Sequence, residues 1–185
     1  SYILILGANG GIAKEVAKKY AMNGYDLLLA GRRLNVIQEI ADEIHIVSNQ
    51  DIKAIELDIL DFESHADFYS QLNEKPFGVI CAVGYLGDQL DAQDDFEEAK
   101  KIIDTNFTGI VSLLNLISND FERRRSGFIV GISSVAGERG RKSNYIYGSS
   151  KAAFSTYLSG LRARLNFANV HVLTVKPGYV ETSMI

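Results

Sequence analysis

The chain has 185 residues, of which 46% are hydrophobic and 23% charged, with 16 glycines and two prolines. That is the composition of one ordinary globular domain with a full core, and it excludes a disordered chain. A net charge of −4 gives no reason to expect nucleic acid, a single cysteine excludes an internal disulfide, and no apolar run approaches the roughly 20 residues of a membrane span.

Tyr2–Leu6 is a short apolar run and reads as a buried strand. It passes directly into Gly7-Ala8-Asn9-Gly10-Gly11-Ile12-Ala13, and Gly11–Asn23 reads as a helix. Glycines at a strand-to-helix turn let the backbone approach a pyrophosphate, to which the helix N-terminus offers unpaired N–H groups and a positive dipole end. Gly7, Asn9, Gly10, Gly11 and Ile12 are therefore candidate nucleotide-binding residues. Their spacing, Gly-x-x-x-Gly-x-Ala, differs from the Gly-x-Gly-x-x-Gly of the commonest dinucleotide turn.

A second strand, Asp26–Ala30, leads to Gly31-Arg32-Arg33, with no carboxylate at its end. An arginine there can pair bidentately with the 2′-phosphate of a dinucleotide; the plainer alternative is a pair of arginines opening a solvated helix. A helix over Asn35–Glu43 follows, then a strand Lys53–Leu57 ending at Asp58, a helix Glu63–Leu72, and a strand Gly78–Ala82 leading to Gly84. Phe96–Arg125 reads as helical with a break near Asn106. A strand Gly127–Ile132 runs into Ser133 and Ser134, a helix Asn144–Phe167 carries Tyr147 and Lys151, and a strand Val170–Val175 leads to Pro177 and Gly178. The alternation predicts a doubly wound parallel sheet of Rossmann-like α/β type with helices on both faces, as one domain over residues 1–185. Such sheets take ligands at the carboxyl ends of their strands, and Gly7, Gly84, Ser134 and Pro177 all follow predicted strand ends.

Tyr147 and Lys151 are four residues apart, one turn along the same helix face. A tyrosine serves as a general acid near neutral pH when its pKa is lowered from about 10, and a lysine cation one turn away favours the phenolate. Ser134 can hydrogen-bond the same carbonyl oxygen, so the three residues describe proton delivery to a carbonyl. A Tyr-x-x-x-Lys pair alone is common on amphipathic helices; Ser134 and the glycine turn raise it above that. Tyr145 has the wrong spacing to Lys151. Ser133 rivals Ser134, and Asn106 has the alternative of a polar helix break. His45, His65 and His171 have no metal-ligand spacing, and no metal is predicted.

With these motifs the chain resembles the short-chain dehydrogenases/reductases, from Ile3 to Met184. The family's Thr-Gly-x-x-x-Gly-x-Gly turn matches at Leu6–Ala13, its adenine-facing aspartate at Asp58, and its catalytic asparagine at Asn106. Its serine and Tyr-x-x-x-Lys match at Ser134, Tyr147 and Lys151, and its Pro-Gly-x-Val-x-Thr segment at Pro177, Gly178, Val180 and Thr182. The resemblance implies that Pro177, Gly178, Val180 and Thr182 hold the nicotinamide, that Lys151 also binds the nicotinamide ribose, and that Asn106 helps hold a proton-relaying water. The separation of 13 residues between Ser134 and Tyr147 is the family's usual one, which favours Ser134 over Ser133. Gly84-Tyr85-Leu86-Gly87-Asp88 and the segment Ser133–Lys151 further resemble the decaprenylphosphoryl 2-keto-pentose reductases, which act on a keto-sugar carried on a polyprenyl phosphate.

Three departures stand out. Ala13 replaces the third turn glycine, a packing position where alanine is tolerated. Cys81-Ala82-Val83-Gly84 replaces the family's Asn-Asn-Ala-Gly, which bears on adenine-side geometry. The chain starts at Ser1 and stops at Ile185, directly after the nicotinamide segment and without the usual C-terminal strand and substrate loop, so it is expected to be part of a longer protein. The expected activity is reduction of a carbonyl to an alcohol with NADPH (NADP+) preferred over NADH, on a small-molecule substrate such as a keto-sugar. Arg139, Arg141 and Lys142, between Ser134 and Tyr147, would suit an anionic one. The resemblance implies a homodimer or homotetramer. The expected location is cytoplasmic, in keeping with the single Cys81, or peripheral to the inner face of a membrane. The alternatives are a non-catalytic NADP-binding sensor or scaffold, and a sugar-nucleotide epimerase or dehydratase, whose glycine turn differs.

Overall fold

In the computed structural model, which describes residues 1–180, six strands form one parallel sheet: β1 (Tyr2–Leu6), β2 (Asp26–Gly31), β3 (Ile52–Glu56), β4 (Gly78–Cys81), β5 (Gly127–Ile132) and β6 (Val170–Val175). Their spatial order is β3-β2-β1-β4-β5-β6. The order reverses between β1 and β4, whose register pairs Leu6 with Cys81. The crevice at the carboxyl ends of these two strands is where this architecture takes a ligand.

The helices are α1 (Gly11–Met22), α2 (Leu34–Ser48), α3 (His65–Gln71), α4 (Gln89–Asp94), α5 (Phe96–Ile103), α6 (Gly109–Arg124) and α7 (Tyr145–Leu165). Because side chains alternate along a strand, each strand feeds two cores. Ile3, Ile5, Leu27, Leu29 and Ile80 pack with Ala13, Ala17 and Ala21 of α1 and Ile37, Ile40 and Ile44 of α2. Leu4, Leu6, Val79, Cys81 and Ile129 face Ile110, Leu114 and Phe121 of α6 and Phe154, Leu158 and Leu165 of α7. Burial on both faces explains why the strands read as continuous apolar runs.

The expected strands all form, with ends shifted by at most one residue. Helix α2 runs past Glu43 to Ser48, because Ile44 extends the buried stripe of Ile37, Ile40 and Ala41. It stops at Asn49, a residue in the left-handed conformation whose N–H bonds the carbonyl of His45. The break expected near Asn106 is instead a five-residue π-helical segment, Asp104–Thr108, that joins α5 to α6. The fully buried Asn106 side chain turns outward to bond Tyr85, so it does not compete for its own helix's backbone. Helix α4 carries no expectation from the sequence. It is six residues long and depends on Asp88, whose carboxylate accepts from the N–H groups of Leu90 and Asp91.

Candidate active site

The carboxyl ends of β1, β2, β4, β5 and β6 surround a cavity of about 880 Å³. Its nucleotide side is built by the turn after β1. Gly7 adopts φ +77°, and a Cβ there would lie 3.0 Å from the Ala82 carbonyl and from the Val83 Cα. Only glycine lets the turn press this closely on the end of β4. Gly10, the N-cap of α1, brings no side-chain cap, and the first turn of α1 has no acidic residue. The leading N–H groups of α1 are thereby left for an anion. Helix α2 starts in the same way, with Arg33 as an N-cap that makes no side-chain cap bond. Arg32 and Arg33 both line the cavity and are exposed, and neither guanidinium has an ion-pair partner among the described residues. The residues present thus fit the phosphates of a dinucleotide.

The opposite wall carries Ser134, Tyr147 and Lys151. Lys151 is 2% exposed. Its ammonium donates to the carbonyls of Val83 at 3.1 Å and Ile132 at 3.2 Å, which occupies two of its three donors. Burial pulls its pKa down to about 8. The Lys151 nitrogen sits 5.8 Å from the centre of the Tyr147 ring. Burial raises the pKa of Tyr147, and the Ser134 hydroxyl pulls it partly back. In this structure desolvation outweighs the lowering of the phenol expected from the sequence, and the Lys151 ammonium is held by two backbone carbonyls. The Ser134 hydroxyl accepts the N–H of Ala136 at 3.1 Å. Ser133 is committed elsewhere, donating to the Lys151 carbonyl at 3.0 Å and sharing a hydrogen bond with Ser155 at 2.7 Å. The sheet therefore presents Ser134 to the cavity with fewer competing bonds than its neighbour.

A sequence profile described as short chain dehydrogenase matches residues 1–185. The chain belongs to the short-chain dehydrogenase family. As a short-chain dehydrogenase it is an NAD(P)-dependent oxidoreductase. It is 32% identical over 181 residues to an uncharacterized oxidoreductase of Mycobacterium tuberculosis, covering 96% of this chain and 72% of that protein. It is 30% identical over 184 residues to an uncharacterized oxidoreductase of Myxococcus xanthus, covering 98% and 72%. Among solved structures, a short-chain dehydrogenase from Sphingobium yanoikuyae in complex with NADPH superposes with a TM-score of 0.92 at 26% identity, covering 99% of this chain and 72% of that one.

Of the residues singled out in the sequence, Asn9, Gly10, Gly11, Ile12, Arg32, Arg33, Gly84, Ser134, Tyr147, Lys151, Pro177, Gly178 and Val180 line this cavity of the short-chain dehydrogenase. Gly7 lies behind it, as a backbone contact. Thr182 lies outside the described residues. Asp58 is exposed and lines a second hollow, of about 790 Å³, between β3 and α3; its carboxylate accepts the N–H of Leu60 at 3.0 Å. Asn106 does not line the cavity. Its carboxamide accepts from the Tyr85 N–H at 2.9 Å and donates to the Tyr85 carbonyl at 2.7 Å, so it holds the loop after β4 in place. Arg141 lines the cavity, while Arg139 and Lys142 do not. Tyr85 and Asn144 also line it without any role expected from the sequence. The sequence places Asn144 only at the start of the expected helix Asn144–Phe167, which gives no reason to expect a wall residue. Among the described residues no helix is long and apolar enough to cross a membrane.

Proposed function

We propose that the protein reduces a ketone to a secondary alcohol with NADPH, and that its substrate is a keto-sugar or a related polar ketone. The observation that carries this reading is the meeting, in one cavity, of an uncapped helix N-terminus with two arginines that have no ion-pair partner among the described residues on one side and Ser134, Tyr147 and Lys151 on the other. The M. tuberculosis and M. xanthus relatives are described as oxidoreductases, and the S. yanoikuyae relative binds NADPH. When bound, the reduced nicotinamide supplies the hydride. Gly10, Gly11 and Ile12 would hold its pyrophosphate, Arg32 and Arg33 the 2′-phosphate, and Pro177, Gly178 and Val180, with Thr182, the nicotinamide end.

Tyr147 donates its proton to the carbonyl oxygen. Its raised pKa keeps the phenol protonated before reaction. Below about pH 8 the Lys151 ammonium is charged and stabilises the phenolate left behind, while its remaining donor is free for a ribose hydroxyl. Ser134 orients the carbonyl. Asn106 acts through the Tyr85 loop that forms the neighbouring wall. Arg141 gives the cavity a cation for an anionic substituent. In this reading the protein works as a homodimer or homotetramer in the cytoplasm or at the inner face of a membrane.

Fluorescence titration with NADPH and NADH tests the nucleotide half. NADPH is expected to bind more tightly. Replacing the guanidinium in Arg32→Asp should weaken NADPH about tenfold or more, the loss of a charge-assisted bidentate contact, with a much smaller effect on NADH. Equal losses for both nucleotides would refute the 2′-phosphate assignment. Tight NADPH binding without turnover of any ketone would favour the non-catalytic sensor instead.

A further inference from the structure

Helix α7, which carries Tyr147 and Lys151, is capped from outside. Its N-cap residue is Asn144, a preferred cap type whose side-chain oxygen ordinarily accepts the N–H of the second or third helical residue. Here Asn144 has φ −163° and ψ 36° and makes no side-chain cap bond. The N–H of Ile146, the second residue of α7, is accepted instead by Oε1 of Gln89, 57 positions away at the start of α4, at 3.1 Å. Ile146 and Tyr147 pack on Ala92, Ala99 and Ile102 at the same junction.

The consequence is a carboxamide with no assigned task. The Asn144 Oδ1 is shielded from solvent and has no donor among the described residues, and Gln89 Nε2 in turn has no acceptor. A buried polar atom without a protein partner carries a desolvation penalty and is rare in folded proteins, so a pair of them beside an active site marks a place for a bound group, whether a water or part of a substrate. The two atoms are of opposite sense, an acceptor and a donor. A hydroxyl group can serve either, since it both donates and accepts. Asn144 lines the cavity with Ser134 and Tyr147, and it precedes Tyr147 by three residues, which places the two on one side of the helix start.

We propose that Asn144 is a specificity-determining residue that binds a hydroxyl group of the substrate close to the reacting carbonyl, its side chain being free to do so because Gln89 supplies the cap of α7. This deepens and rests on the reading of the cavity as a ketone-reducing site. It narrows the substrate class to hydroxyketones, the chemistry of a ketose, with the hydroxyl one or two carbons from the carbonyl.

The test compares 1-hydroxybutan-2-one with pentan-3-one, in which a methyl group replaces the hydroxyl. Binding is read by ligand-observed NMR in the presence of NADP+, and kcat/KM by NADPH consumption. The wild-type protein is expected to favour the hydroxyketone about tenfold in both readouts, the size of one well-placed hydrogen bond. Asn144→Ala should bring the ratio close to one while NADPH affinity stays the same, and Asn144→Asp, which keeps an acceptor of the same shape, should retain the preference. No preference in the wild type, or an unchanged ratio in Asn144→Ala, overturns the proposal and leaves the polar pair to a bound water. A binding preference that depends on Asn144, with neither ketone turned over, would uphold the hydroxyl site and sink the reductase reading.

Discussion

Lys151→Met gives a direct physical test of how the candidate site is built. The lysine is 2% exposed, and burial brings its pKa to about 8 from an ordinary value of 10.5. At about 1.4 kcal/mol per pH unit, that gap of about 2.5 units represents roughly 3 kcal/mol. Between about pH 8 and 10.5 the unfolded chain binds more protons at this position than the folded protein does, so stability rises with pH across that window. Conversely, the increment is complete above 10.5 and is lost as pH falls through 8. Methionine keeps the apolar stem and removes the ammonium. It also strips a donor from the carbonyls of Val83 and Ile132, a cost of about 1–3 kcal/mol that does not depend on pH. The diagnostic quantity is therefore the slope. Urea unfolding of both proteins at several pH values from 7 to 9.5 should show the wild type gaining about 2 kcal/mol on the variant between pH 8 and 9.5. Cys81, pushed up to about 11 by burial, and the raised phenol of Tyr147 work in the opposite direction in both proteins and cancel to first order in the difference. A difference that stays flat with pH would refute the claim that Lys151 is held as a desolvated cation.

Asn106→Ala removes both hydrogen bonds to the Tyr85 backbone and should cost about 2–4 kcal/mol, a fall in Tm of roughly 4–16 °C by calorimetry; a neutral substitution would show that the loop after β4 needs no anchor. Gly7→Ala places a Cβ 3.0 Å from the end of β4 at φ +77°, so it should lose about 1–3 kcal/mol of stability and weaken NADPH binding at least tenfold by calorimetric titration, and unchanged affinity would contradict the close-approach argument. Ser133→Ala and Ser134→Ala should separate by type: the first lowers stability without touching the reacting group, because Ser133 bonds the Lys151 carbonyl and Ser155, and the second lowers kcat along with the cost of about 0.5–2 kcal/mol for the lost bond to the Ala136 N–H.

The parallel sheet was legible because buried strands between helices leave continuous apolar runs, and β1, β5 and β6 begin and end where those runs do. That the glycine turn and Ser134, Tyr147 and Lys151 meet at one cavity was legible because each lies just after a predicted strand end or one helix turn along the same face. What escaped is set by long-range contact. Helix α4 is short and rests on one capping carboxylate, that of Asp88. The π-helical segment at Asn106 persists because the side chain bonds Tyr85, 21 positions away. The raised pKa of Tyr147 comes from the burial of its ring, which does not follow from a separation of four residues. The sequence places Asn144 only at the start of a helix, and that Gln89, 57 positions away, accepts the N–H of Ile146 in its stead does not follow from that placement.

The central claim is that Tyr147 supplies the proton in an NADPH-dependent ketone reduction, and it is tested most directly by NADPH consumption in wild-type protein and Tyr147→Phe with 1-hydroxybutan-2-one, alongside NADPH affinity by fluorescence. The account predicts that the variant binds NADPH as the wild type does and loses at least a hundredfold in kcat, the lower end of what a positioned acid contributes. Turnover within a few-fold of wild type in the variant would contradict it.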